Sequence, residues 1–197
     1  MNTLKAEKRD LAVKAKRLRR EGYVTGNIFG REVKGSIPIK IERKDVDRLL
    51  KTDNKGSQIM LDVEGTMYDV LIKDVEFNPL AGKVDEIDFQ ALVSNEEVHS
   101  TAEVILLNHE KIVEGVLQLE MEEVAYKALP AALVDKVKID VAEMKIGDAV
   151  KVKDLPLAAD KDVHITTDLE AVVASVVAVH NVPEAEEETE EAEAETK

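Results

Sequence analysis

Within residues 5–20 stand Lys5, Lys8, Arg9, Lys14, Lys16, Arg17, Arg19 and Arg20, opposed there only by Glu7 and Asp10. The chemistry open to such a cluster is phosphate binding. Lysine supplies a point charge and arginine a planar fork of donors that grips a phosphate bidentately. Several such residues on one element release condensed counterions when they meet a polyphosphate backbone, so the binding they give weakens with salt. The rest of the chain has the opposite sign. Residues 1–51 hold 15 Lys+Arg against 7 Asp+Glu, residues 52–93 hold 3 against 9, and residues 94–197 hold 9 against 25, for a total of −14. Screening beyond about 10 Å lets a basic patch act independently of that total. The asymmetry points to a nucleic-acid-facing end and an end that faces solvent or a protein partner.

Catalytic chemistry finds no comparable support. His99, His109, His164 and His180 stand singly, with no paired histidines and no carboxylate at zinc-motif spacing. There is no glycine-rich phosphate loop, no Gly-x-Ser-x-Gly elbow and no cysteine. The carboxylates Asp135, Asp140, Asp148, Asp154, Asp160 and Asp162 read as solvated loop and strand-edge charges. No cofactor, metal or small-molecule substrate is called for, and the chain reads as a non-enzyme. No apolar run approaches the roughly 18 residues of a membrane span. The absence of cysteine and of an apolar leader fits a cytoplasmic protein.

The basic cluster needs an element to carry it. Asp10–Glu21 is rich in helix formers, has Asp10 as N-cap and Gly22 as stop, and places Leu11, Ala15 and Leu18 on one narrow stripe. Tyr23–Phe29 then reads as a strand, its aromatics assigned to the core. Ile37, Ile39 and Ile41 alternate along a second strand in which Pro38 favours an edge. Residues 43–51 make a short helix. Ile59, Leu61 and Val63 alternate up to Glu64-Gly65, and Tyr68, Val70 and Ile72 alternate away from it, which is a hairpin. After a turn at Asn78-Pro79 and Gly82, Ile87, Phe89 and Ala91 mark another strand. A small β-rich domain with about two helices thus ends near Val93, and Ser94–Glu97 marks the boundary. Residues 94–182 follow as a mostly-β domain, with strands at 98–107, 136–141, 149–153 and 171–179. The last is a β-branched run expected to be buried, while 114–129 leaves helix and strand open. Residues 183–197, dominated by glutamate, are expected to be a disordered tail.

Specific runs resemble a known family. Leu4–Arg9, Arg17–Gly22, Asn27–Gly30, Val70–Val75 and Ile87–Phe89 look like segments of the bacterial large-subunit ribosomal proteins of the general stress protein Ctc family. Glu114–Gln118, Ala128–Ala131, Ile139–Val141, Ile146–Asp148 and Val150–Leu155 extend the resemblance, in the same order, to about residue 180. It implies a β-rich α+β protein. A small β-barrel-like domain over 1–93 would bind 5S rRNA at an irregular internal-loop helix, and residues 94–182 would form a second domain available to a protein partner. The resemblance makes Arg9, Arg17 and Arg19 arginines of the RNA face and Asp88 the family aspartate. With the helix cations Lys14, Lys16 and Arg20, and with Phe29 and Asn78 at family motif positions, these are the RNA-binding candidates.

The chain also departs from the family pattern. Leu11–Lys16 replaces a glycine-rich run and reads as helix. Phe29 replaces a tyrosine. Glu76-Phe77-Asn78-Pro79 replaces Gln-Arg-His-Pro, and Glu86 replaces a histidine. Carboxylates at Glu76 and Glu86 repel phosphate. Two functions follow: a ribosome-associated 5S rRNA-binding component of the large subunit, or a stress-associated interaction module that keeps the fold without tight RNA binding.

Overall fold

Thirteen strands and two α-helices of about two turns each arrange themselves around two separate cores in the computed structural model, which describes residues 2–31, 33, 35–112, 115–160 and 162–178. The first core lies inside a barrel. Its strands are β1 (Thr3–Lys8), β2 (Tyr23–Phe29), β3 (Ser36–Glu42), β4 (Gln58–Val63), β5 (Thr66–Asn78) and β6 (Lys83–Ala91), with helices α1 (Ala15–Glu21) and α2 (Arg43–Leu49). Around the closed barrel the order is β1-β3-β2-β6-β5-β4. Two contacts are parallel, β1 with β4 and β2 with β6, and the others are antiparallel. Alternation puts Val24 and Ile28, Ile39 and Ile41, Ile59 and Leu61, Val70 and Ile72, and Ile87 and Phe89 inside, each at or near zero exposure. The Glu64-Gly65 turn has both residues at positive φ, 52° and 88°, which suits the right-handed twist of its strands.

The β-rich reading, the two helices and the 58–78 hairpin agree with the sequence analysis; several boundaries do not. The helix does not begin at Asp10. Its carboxylate accepts the Ala12 N–H at 2.9 Å and its carbonyl the Val13 N–H at 3.1 Å, closing a turn, and α1 starts at Ala15 after Lys14. A local carboxylate-to-backbone bond competes with the helix there, so residues 11–14 are not helical. The strand β1 was not foreseen, because Leu4 and Ala6 are its only inward residues and charge surrounds them. Pro38 is not on an edge, since β3 lies between β1 and β2. The β1–β3 ladder runs out beside it, where the Pro38 carbonyl accepts the Arg9 N–H at 2.9 Å.

The second core lies between two sheets. One is built from β7 (Val98–Leu107), β9 (Glu123–Ala128), β10 (Lys136–Asp140) and β12 (Val163–Ile165), in the order β10-β7-β9-β12. The other has the order β11-β13-β8, from β8 (Val116–Leu119), β11 (Ala149–Lys151) and β13 (Val172–Val177). The ambiguous 114–129 segment is therefore two strands in different sheets. Glu120 and Met121 both donate to the Val173 carbonyl where the chain crosses between them. Of the 171–179 run, the described residues 171–178 have only Val173, Ala174 and Val176 buried, so one face of β13 is partly open. Tyr126 fills the centre, its hydroxyl donating to the Val134 carbonyl and accepting the Val134 N–H, both at 2.8 Å. The tail at 183–197 and His180 lie outside the described residues.

Leu71, Leu92 and Val98 join the two parts through a small apolar cluster. Around it the Asn54 amide donates to Glu103 at 2.6 Å, Lys73 to the His99 carbonyl at 2.8 Å and Lys136 to the Thr52 carbonyl at 3.1 Å. Burial, with Lys55 close by, lowers the Lys73 ammonium pKa.

Candidate nucleic-acid interface

Helix α1 lies over the start of β2, fixed by Leu18 beneath it and by Gly22, whose N–H reaches back to the Leu18 carbonyl. Lys16 and Arg20 are one turn apart on its exposed side, and neither makes an ion pair among the described residues. Lys14 is exposed at the N-cap. Arg17 is exposed as well but is held by Glu21, Nε to Oε1 at 2.8 Å, and that hydrogen bond raises its pKa.

Arg19 behaves differently. It is half-buried, its Nε donating to the Asp85 carbonyl at 3.0 Å and its Nη2 to Thr25 Oγ1 at 3.3 Å and Glu86 Oε2 at 3.2 Å. Arg43, which the sequence reading passed over, donates to the Arg19 carbonyl at 3.0 Å and so ties α1 to α2. No sequence pattern marks Arg43; its role comes from the fold that brings the start of α2 to the end of α1, where the Arg43 N–H also donates to the Gly22 carbonyl at 3.0 Å. Arg9 is half-buried beyond β1, with Nη2 on the Val13 carbonyl at 3.4 Å.

The outer sheet face beside these arginines is built by β2, β6 and β5. Asp88 accepts the backbone N–H of Asn27 at 3.1 Å, and the Asn27 side-chain amide also reaches it at 3.4 Å. Asp88 thus stitches the parallel β2–β6 contact. Across the antiparallel β5–β6 ladder, Asp74 stands opposite Asp88 and Glu76 opposite Glu86. Like charges in such positions oppose one another. Glu86 shows the result: burial raises its carboxyl above the usual range, and Asp88 and Glu76 add to this while Arg19 and Arg9 resist it.

Asn78 is engaged in shaping the β5–β6 turn, accepting the Ala81 N–H at 3.2 Å and donating to Asp85 at 3.1 Å. Beside it Phe77 is 59 % exposed and Leu80 wholly so, an apolar tip that sequence reading placed only as a departure from a motif. Phe29 is half-buried at the far end of β2, opposite Gln90, four residues from Thr25 and hence about 13 Å along the strand. The structure therefore gathers Arg9, Arg19 and Asp88 around Glu86, sets Lys14, Lys16, Arg17 and Arg20 on the helix above, and leaves Phe29 apart.

Residues 4–89 match the Ribosomal L25p family, and residues 97–180 match the C-terminal domain of ribosomal protein TL5. The large ribosomal subunit protein bL25 of Caldanaerobacter subterraneus subsp. tengcongensis is 31 % identical over 199 residues, covering 98 % of each chain. The chain belongs to the ribosomal L25p family. The bL25 proteins of Bacillus velezensis and Carboxydothermus hydrogenoformans are 29 % and 30 % identical, covering 90 % and 88 % of this chain and 88 % and 86 % of their own. A place among the L25p proteins makes the chain structural rather than enzymatic. No helix among the described residues is long and apolar enough to cross a membrane.

Proposed function

We propose that this L25p protein is a component of the large ribosomal subunit that binds 5S rRNA through residues 1–93. The observation that carries the reading is the exposed set of Lys14, Lys16 and Arg20, without ion-pair partners among the described residues, at the N-cap and on the helix fixed beside an outward sheet face. The cations meet phosphates, and Asn27, Gln90 and the Asn78 turn present polar groups to the groove by shape rather than sequence. Exposed Phe77 offers an aromatic face to a base unstacked by an internal loop. Relatives named for the large ribosomal subunit support the assembly, and a ribosome-associated cytoplasmic location follows from it. Residues 94–182 act as a second domain, a docking unit for a protein neighbour, with the 183–197 tail beyond it.

The test is affinity of the full chain for 5S rRNA against an RNA with a scrambled internal loop, at two salt concentrations. Preference for the true loop at both is the expected result. Weak, equal binding that vanishes at the higher salt would replace this reading with the second one, a stress-associated protein-interaction module. That alternative is motivated by the Asp74, Glu76, Glu86 and Asp88 carboxylates, which line the same face. Co-sedimentation with large subunits through a moderate-salt wash separates the two independently.

A further inference from the structure

Arg19 is the one α1 arginine turned toward the sheet, and its phosphate-gripping edge is already occupied. Nε is on the Asp85 carbonyl, and Nη2 is divided between Thr25 and Glu86. Its Glu86 partner leaves both side chains only 29 % exposed, so the pair is neither on open surface nor fully enclosed. The groups facing Glu86 come from every side. Arg19 approaches from α1 and Arg9 from beyond β1, Glu76 lies opposite on β5, and Asp88 is two residues along on β6. Two cations and two anions surround one carboxylate, so a small change in local charge decides its state. A phosphate brought against Arg19 would add negative charge beside a group that already has Glu76 and Asp88 as neighbours. A phosphate seated on the Nε–Nη2 edge would compete with the Glu86 carboxylate for Nη2.

We propose that Glu86 is a latch on the interface: it holds the Arg19 guanidinium against β6 in the free protein, and it yields that guanidinium to an RNA phosphate by taking a proton from solvent. The exchange balances: hydronium or a buffer acid gives up the proton, its bond to that donor breaking as the O–H bond of the Glu86 carboxyl forms, while the phosphate takes the carboxylate's place beside Arg19. Glu86 is thus a positioning residue that acts through Arg19, and the inference rests on the RNA-binding reading above. Burial, with Asp88 and Glu76 adding to it, raises the Glu86 carboxyl above its usual range in the free protein while it is still paired with Arg19, and the phosphate would raise it further. The complex therefore binds more protons than the separate partners. Affinity rises as pH falls through the Glu86 titration in the complex and levels off below its titration in the free protein.

Affinity of the full chain for 5S rRNA and for the scrambled-loop RNA, measured from mildly acidic to neutral pH, tests the latch. Glu86→Gln imitates the protonated state and is expected to bind about five-fold tighter at neutral pH, with a flattened pH profile. Glu76→Gln removes a charge from the same face without touching Arg19; it moves the profile to lower pH but does not flatten it. In an Arg19→Gln background the gain from Glu86→Gln disappears. Calorimetry of the unaltered chain in two buffers of different ionisation enthalpy shows net proton uptake on binding, whatever the variants' folding. No uptake, or a Glu86→Gln protein with unchanged affinity and profile while loop preference is kept, overturns the latch alone. Loss of loop preference in the unaltered chain overturns the 5S rRNA reading and the latch with it.

Discussion

Replacing Lys16 and Arg20 together with glutamine separates phosphate binding from fold stability. At about 100° per residue the two lie about 40° apart and each about 160° from buried Leu18, on the side of α1 that faces away from the barrel. Neither has an ion-pair partner among the described residues, so their removal should change the stability of the protein by no more than about 0.5 kcal/mol. If each neutralises one phosphate, the slope of log affinity against log salt should become shallower by about 0.9 per residue, or about 1.8 for both. Between 1 M and 0.1 M salt that slope corresponds to about eight-fold per residue, so the double variant should bind about sixty-fold more weakly at 0.1 M and nearly as well at 1 M. Fluorescence anisotropy of labelled 5S rRNA over a salt series reads the slope directly. An unchanged slope with an equal loss at every salt would show that these side chains do not meet phosphates, and the helix would cease to be the interface.

Tyr126→Phe leaves the Val134 N–H and carbonyl without their shared partner, at a cost of about 1–3 kcal/mol. For a chain of this size, 2 kcal/mol lowers the melting temperature by about 4–8 °C, which scanning calorimetry would detect. Gly26→Ala should disrupt the β2–β6 contact, because an added Cβ would run into the Ile87 backbone carbonyl. Its circular dichroism and amide protection in β2 should fall while those of β9 persist. Glu170 is held down to about 2 by hydrogen bonds from Lys151 and Lys153, against an ordinary 4.5. A lowered folded-state value favours the charged form. The stability it contributes is therefore present above 4.5 and lost as pH falls toward 2, and it is screened by salt because the group is fully exposed. The stability difference between the native chain and Glu170→Gln should accordingly shrink across that window; a constant difference would show that the two lysines do not hold it.

What the sequence revealed and what it concealed divide on a physical line. Period-2 alternation exposed β3, β4, β5 and β6, because their inward positions are buried apolar side chains and their outward ones are mostly polar. The barrel's closing strand escaped notice because two inward side chains, Leu4 and Ala6, suffice for it, and its outward positions are charged. Helix propensity counted residues 10–14 as helical and overlooked the Asp10 carboxylate, which satisfies the Ala12 N–H more locally. At the interface the residue types were legible but their allegiances were not. Lys16 and Arg20 point away from the chain, while Arg19, one residue from Arg20, is committed to Thr25, Asp85 and Glu86 in strands that meet α1 only after folding. No spacing rule within α1 distinguishes them.

The two parallel contacts of the barrel set an order of assembly. The β4–β5 hairpin closes over two residues, but β1 pairs with β4 across Thr3 to Met60, and β2 pairs with β6 across Asn27 to Asp88. Loop-closure entropy must be met before such distant strands reward each other, so these seams form late and slowly. During synthesis neither the Asn27–Asp88 stitch nor the Arg19–Glu86 pair can exist until β6 has emerged. Until then the cations of α1 hang on an unclosed sheet, with no fixed surface to present to RNA. If the barrel binds RNA as proposed, recognition must wait until about residue 91, the end of the last barrel strand, has left the synthesising ribosome.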